Sequence, residues 1–278
     1  MADSNPIALT VLGSAGAYRT HDGSRASGYL VQHGATTLVL DLGHGTYAPL
    51  AEHLGISTLP QISAVAISHL HPDHWVDLAA LRHGLVHGNK MGADARSVAV
   101  ISPSGLAPRL ATLLDDRTPE EQVTGARDSL QPFAFSTWRS DTALPPLGGG
   151  RVLPVGSLLV QSARVRHNGE SYALRVALRD QPGLTYSGDV SHWEDLAVIV
   201  RPGDTLLCEA AGGAAQWRED DTHVTAYGAG KAAAAAGAAK LLLTHFGAEV
   251  DPVEAVRAAA TEFSGEIVAV REGDRFEI

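Results

Sequence analysis

Ser68-His69-Leu70-His71-Pro72-Asp73-His74 is the stretch that decides how this 278-residue chain folds. The apolar run just before it, residues 64–67, reads as a short buried strand. In an extended segment, residues i and i+2 point the same way, so His69 and His71 can hold one cation together. Pro72 then turns the chain, which lets Asp73 and His74 aim at a second cation close by. Four ligand-type side chains within six positions at a strand end are hard to explain as a polar turn. Histidines this dense repel one another when protonated and gain little from burial.

Working outward, residues 28–32 and 37–42 alternate around His33-Gly34 and read as a hairpin. Residues 7–12 form an apolar strand ahead of Gly13-Ser14-Ala15-Gly16. That turn lacks the Gly-Lys-Ser/Thr ending of a phosphate-binding loop and is read as a tight turn. Helical spacing predicts helices over 46–54, 75–86 and 104–115, with a strand over 97–101. Residues 118–150 are irregular, rich in Pro and Gly, and are read as an excursion serving as a lid or dimer contact. The second half repeats the theme. Strands are predicted at 158–165, 172–178, 184–187, 205–208, 240–244, 267–270 and 275–278, and helices at 225–239 and 252–263. Two halves, each mixing strands with helices, predict one α/β domain over 1–278, a four-layer sandwich with a cleft between its two sheets.

His-x-His-x-Asp-His followed by Asp77-Leu78 resembles the signature of the metallo-β-lactamase superfamily, which implies an αβ/βα sandwich with its active site in the cleft at the sheet edges. The resemblance implies three further ligands, each after an apolar strand: His167 in Arg166-His167-Asn168-Gly169, Asp189 in Tyr186-Ser187-Gly188-Asp189, and His245 in Leu243-Thr244-His245-Phe246. It implies two divalent ions, Zn with Mn or Fe as alternatives. His69, His71 and His167 would hold one, Asp73, His74 and His245 the other, with Asp189 between them and a bridging hydroxide as nucleophile. Asp41, at the end of the 37–42 strand, resembles the family's aspartate that supports the ligand loop. Asp77 either does likewise or favours a helix dipole.

Tyr186-Ser187-Gly188-Asp189, Cys208-Glu209-Ala210 and Thr222-His223-Val224-Thr225 resemble the phosphodiesterase branch, which includes tRNA 3′-end endonucleases and bacterial cyclic-nucleotide phosphodiesterases. His223 matches a histidine facing the scissile phosphate, where imidazolium stabilises developing charge or protonates the leaving alkoxide. Glu209 would hold His223 in the right tautomer. Asp73, His223 and Glu209 are thus the candidate catalytic residues. Cys208 stands where the endonucleases have His. Only nineteen residues separate Asp189 from Glu209, too few for the long basic arm with which those enzymes grip tRNA.

Bulk properties narrow the partners. The formal charge of −10 and the scattered Arg and Lys argue against a long polyanion, so a small phosphodiester such as cyclic AMP is expected. A lactone or carboxyl-ester hydrolase, an RNA 3′-end endonuclease and a non-catalytic metal-binding protein are the alternatives. A single cysteine, Cys208, excludes an internal disulfide framework. No signal-like start or membrane-length apolar run is seen, so a cytoplasmic protein without membrane association is expected. A homodimer is left open.

Overall fold

The computed structural model describes residues 5–17, 19, 23–89, 97–117, 130–140, 143–216, 218 and 221–278. Two seven-stranded sheets face each other. The first runs β14-β1-β2-β3-β4-β5-β6, built from Arg275–Glu277 (β14), Ala8–Gly13 (β1), Gly28–His33 (β2), Thr36–Leu42 (β3), Ala64–Ala66 (β4), Val98–Ser102 (β5) and Phe133–Thr137 (β6). The second runs β13-β12-β11-β10-β9-β8-β7, from Glu266–Ala269 (β13), Lys240–Thr244 (β12), Thr205–Glu209 (β11), Gly183–Tyr186 (β10), Ser171–Ala177 (β9), Leu158–Val165 (β8) and Val152–Val155 (β7). Each sheet has three antiparallel and three parallel pairings. The repeated theme of the sequence is therefore a repeated topology.

Three apolar clusters explain the layering. The one between the sheets takes Leu9, Tyr29, Val31, Leu38 and Leu40 from the first sheet and Val160, Leu174, Tyr186 and Leu207 from the second. The residues that alternate with these face outward and are covered by helices. On the first sheet, Leu30, Val39, Val65 and Val100 meet α1 (Tyr47–Leu54), α2 (Leu78–His83) and α3 (Leu106–Leu114). On the second, Leu206, Cys208, Leu241 and Leu243 meet α4 (Ala226–Ala236) and α5 (Pro252–Ala259). α4 buries only Ala and Gly. A Cβ on its Gly230 would fall 2.5 Å from the carbonyl oxygen of Ala259, so small residues let α4 and α5 approach closely.

The structure differs from the sequence reading in three places. The described part of the 118–150 excursion contains β6, a parallel edge strand whose following residue, Trp138, is fully buried between the sheets. Residues 133–138 are thus part of the sheet rather than irregular; residues 118–129 and 141–142 lie outside those described. β7 was unforeseen because Pro154 argues against a strand, yet an edge strand tolerates it. The helix expected over 75–86 is shorter and less regular: residues 75–77 are a turn following a 3-10 turn at Pro72–His74, α2 begins only at Leu78, and a π turn follows at Gly84–Gly88, because the ligand loop uses the first turn for itself. Among the described residues, no helix is long and apolar enough to cross a membrane.

Candidate metal centre

The site forms where strand ends from both sheets meet. β4 delivers the loop 67–74, and its start is tied on three sides. The carbonyl of Ile67 accepts the Trp138 indole N–H at 2.8 Å, its amide donates to Ile101, and the carbonyl of Ser68 accepts the amide of Tyr172 across the sandwich. Gly43 lies so close beneath the loop that a Cβ there would fall 1.8 Å from the carbonyl oxygen of Asp73. His167 follows β8, Asp189 follows β10, and His245 follows β12. Two non-glycine residues here, Asp41 and His245, adopt left-handed backbone with φ of 52°. Such strain persists only where surrounding contacts overdetermine it, and it concentrates at functional sites.

All seven residues expected to hold metal come together around Asp189. Its Oδ2 lies 3.5 Å from His69 Nε2, 3.4 Å from His245 Nε2 and 3.7 Å from His167 Nε2, and its Oδ1 lies 3.3 Å from His74 Nε2. Asp73 Oδ2 is 3.5 Å from His74 Nε2, and His167 Nε2 is 3.4 Å from His71 Nδ1. Three overlapping groups result, His69-His71-His167-Asp189, Asp73-His74-His245 and Asp189-His223-His245, each with its donor atoms within 4.8 Å of one another.

Each inward nitrogen is set by what the outward one does. His74 Nδ1 meets Asp41 Oδ2 at 2.7 Å, His167 Nδ1 meets the Thr222 carbonyl at 2.9 Å, and His245 Nδ1 meets Ser27 Oγ at 2.8 Å. A carboxylate or carbonyl can only accept, so Nδ1 of His74 and of His167 carries the proton and Nε2 presents its lone pair inward. Asp41 is itself held by the amide and hydroxyl of Ser68, each at 2.7 Å, and by the Tyr186 hydroxyl at 2.8 Å.

Three of the converging atoms, His69 Nε2, His74 Nε2 and Asp189 Oδ1, are buried without a hydrogen-bond partner. Orphaned buried polar atoms are costly unless something else satisfies them. The charge states of His69, His71 and Asp189 agree. Burial, helped by His74, holds His69 well below the usual imidazole range, and burial with His167 lowers His71. Burial opposes ionisation of Asp189, but His245, His74 and His69 outweigh it and keep the carboxylate well below its usual range. Burial likewise opposes charge on His74, and Asp189 with Asp41 overcomes it. His69 and His71, held neutral beside an ionised carboxylate, present lone pairs to a divalent cation. Such a cation would take the place of the proton that Asp189 and Asp41 favour on His74, and the mixed N/O chemistry suits Zn, Mn or Fe.

Beside this cluster His223 Nδ1 lies 2.9 Å from Glu209 Oε2 and 3.8 Å from Asp189 Oδ2. Glu209, fully buried at the end of β11, also accepts the amide of Val190 at 2.7 Å. Burial would lower the His223 pKa, but the Glu209 carboxylate raises it to about 9. A cavity of about 580 Å³ opens over the cluster, lined by His71, Asp73, Asp189, His223 and His245 and, on the rim, by His44, Gly16 and Gly247.

Asp77 does not support the ligand loop. Its Oδ2 accepts the amide of Tyr47 at 2.9 Å and so holds the start of α1. Sequence reasoning missed Ser27, Ser68, Tyr186 and Thr222 as orienting partners, because single hydroxyls and a carbonyl leave no spacing signal. His44 was also missed, although it sits three residues after Asp41.

The Beta-lactamase superfamily domain pattern matches residues 36–246. The chain is 31% identical over 277 residues to an uncharacterized protein of Mycobacterium leprae, covering 98% of this chain and 89% of that protein. It is 26% identical to Ribonuclease Z of Kineococcus radiotolerans, covering 94% of this chain and 91% of that one. Among solved structures, the metallo-β-lactamase fold protein YhfI of Bacillus subtilis superposes with a TM-score of 0.80 at 23% identity, covering 99% of this chain and all of YhfI.

Proposed function

Because the chain belongs to the metallo-β-lactamase superfamily, we propose that it is a metal-dependent phosphodiesterase acting on small cyclic nucleotides, of which cyclic AMP is the first to test. The observation that carries this reading is the His223–Glu209 pair beside Asp189. A carboxyl ester or lactone also expels an alkoxide but is itself uncharged, whereas a phosphodiester brings a negative charge that a cationic imidazole beside the leaving oxygen can offset.

His69, His71, His167 and Asp189 would hold one divalent ion, and Asp73, His74 and His245, with Asp189 shared, a second. When bound, such ions supply Lewis acidity and lower the pKa of a water. The chain's own residues do the rest. Glu209 fixes His223 with Nδ1 protonated and leaves Nε2 as the nitrogen available to a ligand in the cavity. The Glu209 carboxylate favours the charged form of that imidazole, which can then donate to the leaving oxygen and steady charge on the phosphoryl oxygens.

A small substrate is favoured by the cavity volume, which suits one nucleotide, and by the acidic chain. Likeness to a protein named as a ribonuclease supports phosphodiester chemistry. The segment between Asp189 and Glu209 is taken up by a 3-10 turn at Trp193–Val198 and by β11, which leaves no length for an RNA-gripping arm.

The test is hydrolysis of 3′,5′-cyclic AMP by protein loaded with Zn, Mn or Fe, with the product identified and Asp73→Ala as control. Conversion to 5′-AMP that disappears in the variant is expected. No turnover with any of the three metals would overturn the reading and turn attention to lactones and esters.

A further inference from the structure

Resting on the phosphodiester reading, we infer that His44 is the specificity-determining residue of the cavity, and that it binds the uncharged sugar or base portion of a singly charged diester. His44 lies in Gly43-His44-Gly45, directly after β3. Its backbone is pinned from several directions. The amide of Gly43 donates to Ser27 at 2.9 Å, the carbonyl of Gly43 accepts the Thr46 hydroxyl at 2.6 Å, and the carbonyl of His44 accepts the amide of Ala26 at 3.1 Å. Asp73 packs against Gly43 too tightly for any Cβ.

The imidazole, by contrast, is exposed, lines the cavity shared with Asp73 and His223, and makes no hydrogen bond among the described residues. It caps no helix and contributes to none of the three apolar clusters. Because the backbone beneath it is held, only the side-chain rotamers of His44 need to be fixed when a ligand arrives.

The charge balance of the cavity indicates which part of the ligand it meets. Among the described lining residues there is no Lys or Arg. The metal-holding set and His223 face the reacting phosphate, so His44 is the one titratable lining side chain left over. A second phosphate would find no fixed cation there, in a chain whose formal charge is −10. A hydroxyl or a base edge, which both donates and accepts, matches an imidazole that does the same.

The experiment compares metal-loaded wild type, His44→Ala and His44→Gln on cyclic AMP and on methyl p-nitrophenyl phosphate, a diester with neither sugar nor base. Binding of the slowly cleaved phosphorothioate analogue of cyclic AMP is measured alongside. His44→Ala is expected to raise the KM for cyclic AMP, and the Kd of the analogue, about tenfold. kcat should stay within about twofold, and kcat/KM for the small diester should fall less than that. His44→Gln should recover part of the loss. Equal losses on both diesters, or no change in KM and Kd, would overturn the assignment while leaving the phosphodiester reading intact. If wild type cleaves neither diester, that reading falls and the role of His44 falls with it.

Discussion

Nδ1 of His74 donates to Oδ2 of Asp41 across 2.7 Å, and both side chains are fully buried. That single bond joins the end of β3 to the ligand loop and decides which nitrogen of His74 faces Asp189. Asp41 also takes the amide and hydroxyl of Ser68, so one carboxylate sets both ends of the loop. Asp41→Asn keeps the shape but weakens the acceptor and the tautomer preference. Metal affinity should fall about 10–100-fold, the usual loss for such orienting partners. Titration of the metal-free variant by calorimetry checks it, and unchanged affinity would remove Asp41 from the site.

Gly43→Ala makes a complementary test of the same loop. The added methyl would collide with the Asp73 carbonyl oxygen, a backbone atom that cannot rotate away. The loop must shift, at a cost of about 1–3 kcal/mol in stability, and Asp73 moves with it. Thermal melting and metal content should both fall. A variant with wild-type metal content would show that the loop has more slack than its packing suggests.

The sequence made the ligands legible because their chemistry is dense and their spacing rigid: His69 to His74 could be read from alternation and one proline. His167, Asp189 and His245 were visible only through family resemblance, since each alone is an ordinary residue at a strand end. Asp77 reads as a candidate supporter of the ligand loop and turns out to hold α1, because an acidic residue near a helix start fits both roles equally. β6 escaped notice because Phe133–Thr137 is only five residues long and lies in a segment, 118–150, with no periodicity around it. Trp138 fills the space between the sheets, a contact that only the tertiary arrangement reveals.

Divalent metal should stabilise the protein as well as activate it. Cations would satisfy the orphaned atoms of His69, His74 and Asp189, which the unfolded chain leaves to water. At a free ion concentration 100 times Kd, one site contributes about 2.7 kcal/mol. For a chain of this size that is roughly 5 °C in Tm. Calorimetric melts with Zn and with chelator read it directly, and equal melting temperatures would argue against a resident metal.

Away from the site, Asp204 ties β9, β10 and β11 together. It accepts Arg175 Nε and Nη2 at 2.8 and 2.9 Å, the amides of Gly183 and Arg201, and the Thr185 hydroxyl. Burial opposes its charge, but these donors prevail and its pKa lies below the usual carboxylate value. A depressed folded pKa gives stability that is present above the unfolded value near ~3.9 and lost as pH falls through the folded one. Asp204→Ala should therefore cost about 3–5 kcal/mol at pH 7. The gap to wild type should narrow in acid, which denaturant titrations at both pH values would measure.

The His223–Glu209 pair offers the sharpest separation of chemistry from structure. If His223 donates a proton, His223→Ala should slow turnover of a diester with a poor leaving group by about two to four orders of magnitude. With p-nitrophenolate, which leaves without help, the loss should be far smaller. The pH profile adds an independent sign. A proton donor must be charged, so activity falls as pH rises through its pKa, and Glu209 is the chief group raising that pKa, to about 9. Glu209→Gln removes the charge, so the alkaline limb should move to lower pH while turnover at pH 6 changes much less. A limb that stays in place in Glu209→Gln, or equal losses with good and poor leaving groups in His223→Ala, would assign the proton to another group and leave the pair a structural brace for the loop before α4.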